Sequence, residues 1–448
     1  MSRKRPHHAS LPHSRRIGRE VLVGLALTFL LLIPERLFEK TTPGKLWEGA
    51  VYAWLQTRLT GEETLPVAIV NISTLDPRPV PGKLTPREQI TKVIDTVAAQ
   101  GAAAIGIDVD FSPEDGSWTP RGGPQLFDHL LDLRTPVFLG VGRTRYELPD
   151  QWLGAADYRK LAAAISISAE DNRKMPLWIG AGSVESCLAA DADLVGVRVS
   201  DKSAESTCLP SLGARLARRS RSREPHVAFW PRWFASPLEE EVIQKEEPIT
   251  TAYFPVDYGP AATLRDQTSS AILSGDGVRL VLNPRLTSLE GKVVLLGNTD
   301  WEVTPDKYPI PPWQRETPGV YFHACATYTL IKGPLLEVTG AGRVVLDVFF
   351  ASLVLTGMSF LQGSKHKKSE HVAADRLRFL LTWLAIVIVT FCGYALVQTT
   401  RVLWTDWLLV DVVLLFHSWV ERHLERHEER LSELWHNVFF ETRKGESL

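Results

Sequence analysis

Four hydrophobic stretches, residues 21–33, 341–361, 379–397 and 402–420, frame this chain. Between the first and the other three, residues 39–340 read as an ordinary water-soluble α/β region. That layout predicts a receiver outside a membrane with anchors around it. Only residues 421–448 follow the last stretch, so the expectation is a chain that senses and passes a signal on, with little chemistry of its own. The 448 residues allow two or three domains. A formal net charge of −2 gives no footprint for nucleic acid.

The first stretch, Val21 to Ile33, rises only about 20 Å as a helix, against a hydrocarbon core of roughly 30 Å. Snorkelling Arg16 and Arg19 supply the missing turns of an uncleaved anchor. A cleaved signal peptide has similar basic and apolar parts, but Pro34-Glu35-Arg36 follows where a small-x-small site belongs. Arg3, Lys4, Arg5, Arg15, Arg16 and Arg19 precede the anchor, and Lys365, Lys367, Lys368, Arg376 and Arg378 lie between the second and third stretches. The positive-inside bias puts both clusters on the cytoplasmic side. The expected order is a basic cytoplasmic tail (1–20), an anchor (21–38), an outer domain (39–340), a membrane helix (341–361), a basic loop (362–378), membrane helices at 379–397 and 402–420, and an amphipathic cytoplasmic tail (421–448). A carboxylate in mid-membrane costs roughly 2.5–3.5 kcal/mol, so Asp411 calls for a partner helix or a proton. It is a signal-relay candidate; the alternative is an interfacial helix that never fully spans.

Within the outer region, Pro66 to Ile72 reads as a buried strand, Thr85-Pro86 opens a helix with Ile90, Val93, Ile94 and Val97 on one face, and Ala102 to Val109 is the next strand. Strand–helix–strand predicts parallel neighbours with a right-handed crossover. Further strands are expected at Val137 to Val141, Val195 to Val199, Thr251 to Val256 and Lys292 to Leu296, with a short helix at Pro210 to Ala217. The stretch Arg215 to Glu247, with its arginine and glutamate runs, reads as a charged loop or a site for an anionic ligand. The fold class predicted is an α/β domain with a largely parallel sheet plus four transmembrane helices. Of the four cysteines, Cys392 lies in an apolar stretch, while Cys187 and Cys208 either pair as a disulfide or are two buried thiols.

These pieces resemble the type-two CHASE domain, an extracytoplasmic sensor of bacterial signalling proteins, from about Leu46 to Leu336. The resemblance is carried by LWEGAVYAWLQTRLTG leading into VAIVNIS and by GAAAIGIDVDFSPED, with Asp108 and Phe111 of an Asp-x-x-Phe element. ADADLVGVRVS, FPVDYGP and above all LEGKVVLLGNTD followed by TPGVYFHACATYTLIKGPLL complete it. It implies a multi-pass protein of the bacterial plasma membrane, and with the short inner tail, where the family carries an output domain, the expectation is a homodimer with a small-molecule ligand and a separate cytoplasmic effector. Where this family usually ends its first strand in acidic residues, this chain has Asn71 and Ser73, which implies altered ligand binding at that rim.

Ligands of open parallel sheets settle at the carboxyl ends of the strands. The candidates there are Asn71 and Ser73, Asp108, Asp110 and Ser112, and Asn298, Thr299 and Asp300. Asp108 and Asp110 stand two apart, on the same side of a strand unless it ends between them, so they could share a divalent cation. Alternatively Asp108 caps the next turn. His323 and Cys325 do not share a helix face as metal ligands, which reads as a packed structural histidine. No hydrolase elbow, Walker loop or kinase signature is present, so no catalytic residue or cofactor is expected. In the tail, Leu424, Leu431, Leu434, Trp435 and Val438 recur at helical spacing. Leu431 and Trp435 are signal-relay candidates in a helix that could self-pair, dock on a partner or lie on a membrane. A structural scaffold in an envelope complex is the competing role, and a metal-dependent outer enzyme a third.

Overall fold

A computed structural model describes residues 41–56, 64–75, 87–112, 123–142, 156–165, 167, 173–181, 194, 208–222, 230, 231, 233–242, 249–274, 277–302, 304, 306–310, 315–363 and 371–404. The chain divides into two compact units, one of residues 49–338 with 400–403 and the other of 1–48, 339–399 and 404–448.

In the larger unit, α1 (Thr42–Gln56) leads to β1 (Val67–Asn71), and α2 (Arg87–Ala99) carries the chain to β2 (Ala104–Asp108). Ile90, Val93, Ile94 and Val97 of α2 are buried as their spacing requires. Each such side chain is worth about 1.5–3 kcal/mol. The helix ends where Gly101 takes φ 80°, a turn any Cβ would strain. Next come α3 (Gly123–Asp132), β3 (Val137–Val141), α4 (Ala156–Arg159), β4 (Ala162–Ala164), β5 (Lys174–Ala181) and β6 (Leu209–Pro210). Ser211 then caps α5 (Leu212–Arg219) through its hydroxyl, which accepts from Ala214 N. β7 (Ala235–Ser236), β8 (Glu239–Val242) and β9 (Ile249–Pro255) precede α6 (Ala261–Asp266). The unit continues through β10 (Ser269–Ser274), β11 (Gly277–Val281), β12 (Val293–Gly297), β13 (Lys307–Ile310), β14 (Arg315–Pro318), α7 (Gly319–Lys332) and β15 (Leu336–Val338).

The central sheet has the order β11-β10-β1-β12-β2-β3-β4, parallel except for β11. Its middle strands are buried on both faces, which is why they appear in sequence as unbroken apolar runs. Ala68, Val70, Ile105, Ile107, Val294 and Leu296 pack with α2 and α3 on one face. The alternate residues meet α5 and α7 on the other: a Cβ on Gly106 would lie 2.6 Å from Leu216, and one on Gly297 2.6 Å from Val320. A four-stranded antiparallel sheet, β6-β5-β9-β8, and a β13–β14 hairpin complete the unit's other sheets apart from the strap below. The stretch expected as one charged loop from Arg215 therefore contains the rest of α5 and two strands, and Arg215 lies 5.9 Å over the Phe138 ring. The strand expected at Val195 to Val199 lies outside the described residues.

A strap closes the unit. β16 (Val402–Leu403) is added in parallel to β15, whose other neighbour is β7, and Leu336 N donates to Arg401 O at 2.9 Å. The Arg401 side chain reaches Asp257 Oδ2 at 3.1 Å. Asp257, 4% exposed in its side chain, also accepts from Gly259 N at 2.9 Å, while its own N–H donates to Thr329 of α7 at 2.8 Å.

The second unit contains α8 (Gly340–Gly363) and α9 (His371–Thr400). Their position agrees with helices at 341–361 and 379–397, but the expectation of four membrane helices is corrected. Among the described residues no helix is long and apolar enough to cross a membrane. A span needs about 20 predominantly apolar residues; Arg343 and Asp347 fall in the first turns of α8, and Asp375, Arg376 and Arg378 in those of α9. The stretch from Val402 begins as strand, after Arg401 at φ 55°. The 21–33 stretch, and 405–448 with Asp411, Leu431 and Trp435, lie outside the described residues. Cys208 is disulfide-bonded, Cys325 and Cys392 are free, and Cys187 lies outside the described residues.

Candidate functional site

The strand order creates a crevice. β1 leads to α2 on one face of the sheet, whereas its neighbour β12 leads through the hairpin to α7 on the other. Adjacent parallel strands whose connections diverge leave a gap outside their carboxyl ends, where ligands of such sheets bind. Asn71 ends β1 in register with Gly297 of β12. Its Oδ1 accepts from Ser73 N at 2.9 Å and from Thr299 N at 3.2 Å, so one amide joins both rims. Beyond Thr299 the chain winds in short polar turns: Asp300 N donates to Asn298 Oδ1 at 2.8 Å, and Glu302 N to Asp300 Oδ1 at 2.9 Å. Trp301, between them, forms with Ala261, Arg265, Thr317 and Tyr321 the lining of a shallow recess open to solvent. Arg265 lies 5.3 Å over the Trp301 ring. The buried Tyr321 hydroxyl pairs with Thr268 Oγ1 at 3.1 Å and bonds Thr299 as well; burial raises its pKa, against a smaller opposing pull from these bonds and from Arg265.

One strand further, the β12–β2 boundary is closed and interior. Asp108 ends β2 opposite Gly297, and its Oδ1 lies 3.5 Å from Nε2 of His323, whose side chain is 1% exposed. Both His323 nitrogens and Asn298 Nδ2 are buried without a hydrogen-bond partner among the described residues. Burial pushes the His323 pKa down to about 4, while the Ile165 carbonyl pulls weakly the other way. Asp108 goes well up, first from burial and then from the nearby Asp306 carboxylate. Asp306 is itself raised by burial and bonds Tyr308, whose hydroxyl is pushed up in turn, burial again the main cause. The imidazole is held neutral near pH 7, so its contact with Asp108 is a packed polar one and not an ion pair.

That assignment fixes a sign. A His323 held neutral costs stability wherever the unfolded chain binds its proton, so this contribution is present above the unfolded pKa of about 6.5 and lost as pH falls toward about 4. Asp108 opposes it, since its raised pKa weakens the fold as pH rises above the ordinary carboxylate value of 3.8. Urea unfolding of His323→Leu and wild type across this window should show the variant gaining on wild type by about 1.4 kcal/mol per pH unit as pH falls. A constant difference would contradict the neutral ring.

The third group is local. β2 ends at Asp108, and Asp110 lies in the stretch that follows. Asp110 Oδ1 accepts from Ser112 N at 2.8 Å and Gly142 N at 2.9 Å, and Ser112 Oγ shares the Gly142 N–H at 3.1 Å. Asp110 is thus engaged by backbone N–H groups, and among the described residues no group of three or more His, Cys, Asp or Glu is arranged to hold a metal. Between Asp110 and Ser112, Phe111 donates its N–H to Gly140 O at 2.8 Å and carries the Arg87 guanidinium 4.1 Å from its ring.

Comparison with known proteins identifies the class, since residues 23–357 match the CHASE2 domain. The chain belongs to the CHASE2 domain family. CHASE2 domains are extracytoplasmic sensors, so the sensory class read from the motifs holds. No curated protein and no solved structure is detectably similar to it.

The CHASE2 motifs now have physical roles. The Asp of Asp-x-x-Phe is the buried Asp108, and its Phe111 pins β2 to β3. In the Pro-Gly-Val element, a Cβ on Gly319 would fall 2.0 Å from Asp306 Oδ2, so any other residue there would displace that carboxylate. The structure brings Asn71, Ser73, Asn298, Thr299 and Asp300 together at the β1 and β12 ends and separates Asp108 from Asp110 and Ser112. Arg265, Trp301 and Tyr321, and the Asp306–Tyr308 pair beside His323, were missed from sequence. Only Trp301, directly after Asn-Thr-Asp at a strand end, offered a signal.

Proposed function

We propose that this chain receives a small-molecule ligand at the crevice between the carboxyl ends of β1 and β12 and passes that state to a separate partner protein. The observation that carries the reading is the Asn71 side chain, whose one oxygen holds the backbone of both rims at the topological switch point of the sheet. A ligand that hydrogen-bonds the Asn71 amide acts on the link between β1 and the loop leading toward α7, which is a local event with a route into a helix packed on the sheet. Membership of a sensory family supports the role.

The test is a thermal-shift panel on the purified full chain, using amino acids, sugars, small carboxylates and nucleobases. At least one compound should raise Tm saturably, and Asn71→Ala, shown by circular dichroism to be folded, should weaken that compound about tenfold, the value of one hydrogen bond of about 1.4 kcal/mol. If no compound shifts Tm, or the hits ignore Asn71→Ala, the crevice is not the receiving site and the scaffold role gains.

A further inference from the structure

We infer that the ligand taken at this crevice is a small organic anion, a carboxylate with a flat or aliphatic body, held by Arg265 against Trp301; this rests on the crevice reading above. The recess beside Thr299 is lined by one cation and no carboxylate: Ala261, Arg265, Trp301, Thr317 and Tyr321. Arg265 projects from the last turn of the short helix α6 and is exposed, and its position is set by the Trp301 ring 5.3 Å away. Among the described residues no carboxylate pairs with it. Its sequence neighbour Asp266 is engaged by Arg285, and Asp300 accepts the Glu302 N–H within its own turn.

A guanidinium laid on an indole keeps its edge N–H groups directed outward, in the fork that matches a carboxylate. Trp301, Tyr321 and Ala261 make up most of the remaining lining, so the rest of the ligand meets largely apolar surface. Polyols have too few acceptors here, and a cation meets like charge. The Tyr321 hydroxyl ties the recess to Thr299, the residue whose N–H Asn71 holds, so occupancy by an anion bears on the same rim.

The probes are acetate, benzoate and phenylacetate, with benzyl alcohol as the neutral counterpart, followed by saturation-transfer NMR on the full chain near pH 7. Benzoate or phenylacetate should bind saturably and benzyl alcohol at least tenfold more weakly. Arg265→Gln, an exposed change that should leave Tm unmoved, should weaken the carboxylates about tenfold, and Trp301→Leu should remove the preference for the aromatic ones over acetate. No saturable carboxylate binding, or equal binding to Arg265→Gln, overturns the inference. A neutral or cationic compound from the thermal-shift panel that loses affinity in Asn71→Ala but not in Arg265→Gln also overturns it while leaving the crevice as the site. Indifference of every binder to both substitutions overturns the crevice as well.

Discussion

Arg401→Ala should destabilise the folded chain by about 3 kcal/mol, the low end for breaking a buried ion pair, because Arg401 is 29% exposed and its partner only 4%. The deficit comes less from lost attraction than from the carboxylate left behind. Burial already raises the Asp257 pKa; Arg401, by field and hydrogen bond, and the Gly259 N–H pull it back down. Without the guanidinium the group must either stay charged in a poor environment or bind a proton. The deficit of Arg401→Ala should therefore shrink as pH is lowered from 8 to 5, because protonation removes the orphaned charge. Urea unfolding of Arg401→Ala, Asp257→Asn and the double variant forms the deciding cycle. The double variant should be more stable than Arg401→Ala alone; additive losses would mean that the pair carries nothing.

The second large effect is expected at Gly140, in the middle of β3. A Cβ there would lie 2.7 Å from Val109 O, 2.8 Å from Ile107 O and 2.8 Å from Ile165 Cγ2. Two of these are backbone atoms of the adjoining strand and its exit, so no rotamer change relieves the overlap. Gly140→Ala should cost about 3 kcal/mol, the upper range for overpacking, read as a fall in the urea midpoint. Gly140 O also accepts from Phe111 N, so the same change should loosen the turn of Asp110 and Ser112. Gly49→Ala, with nothing within 4 Å, is the control and should lose little. Equal losses at the two positions would refute the steric argument.

The central layer was legible because double burial writes itself into sequence as β-branched runs. Val137 to Val141 matches β3, and the runs Pro66 to Ile72, Ala102 to Val109 and Lys292 to Leu296 match β1, β2 and β12 to within a residue or two. β10 and β11 were not, since β11 is half solvated and Ser269, Ser270 and Ser274 make β10 look like a turn. The site was half legible. The strand-end rule located Asn71, Thr299 and Asp108, but only the fold shows that Asp108 faces inward to a histidine 215 positions later in the chain, at 3.5 Å. Arg265 sits in a helix of 6 residues that no periodicity announces. Val402 and Leu403 were taken for the start of an apolar helix because hydrophobicity alone does not tell a two-residue strand from a helical turn; Arg401 at φ 55° is what makes the break. The expectation of membrane helices came from the apolar stretches and their basic flanks, and among the described residues no helix is long and apolar enough to cross a membrane.

The strap has a practical consequence for anyone dissecting this molecule. The larger unit is discontinuous in sequence, completed by the last residue of α9 and the three that follow it. A fragment ending at Val338, the natural place to trim, would expose the β15 backbone as an unpaired edge, an invitation to association, and would strand the Asp257 carboxylate inside. A recombinant sensor meant to behave as this unit does in the whole chain has to carry Thr400–Leu403 back to that edge on a short designed linker.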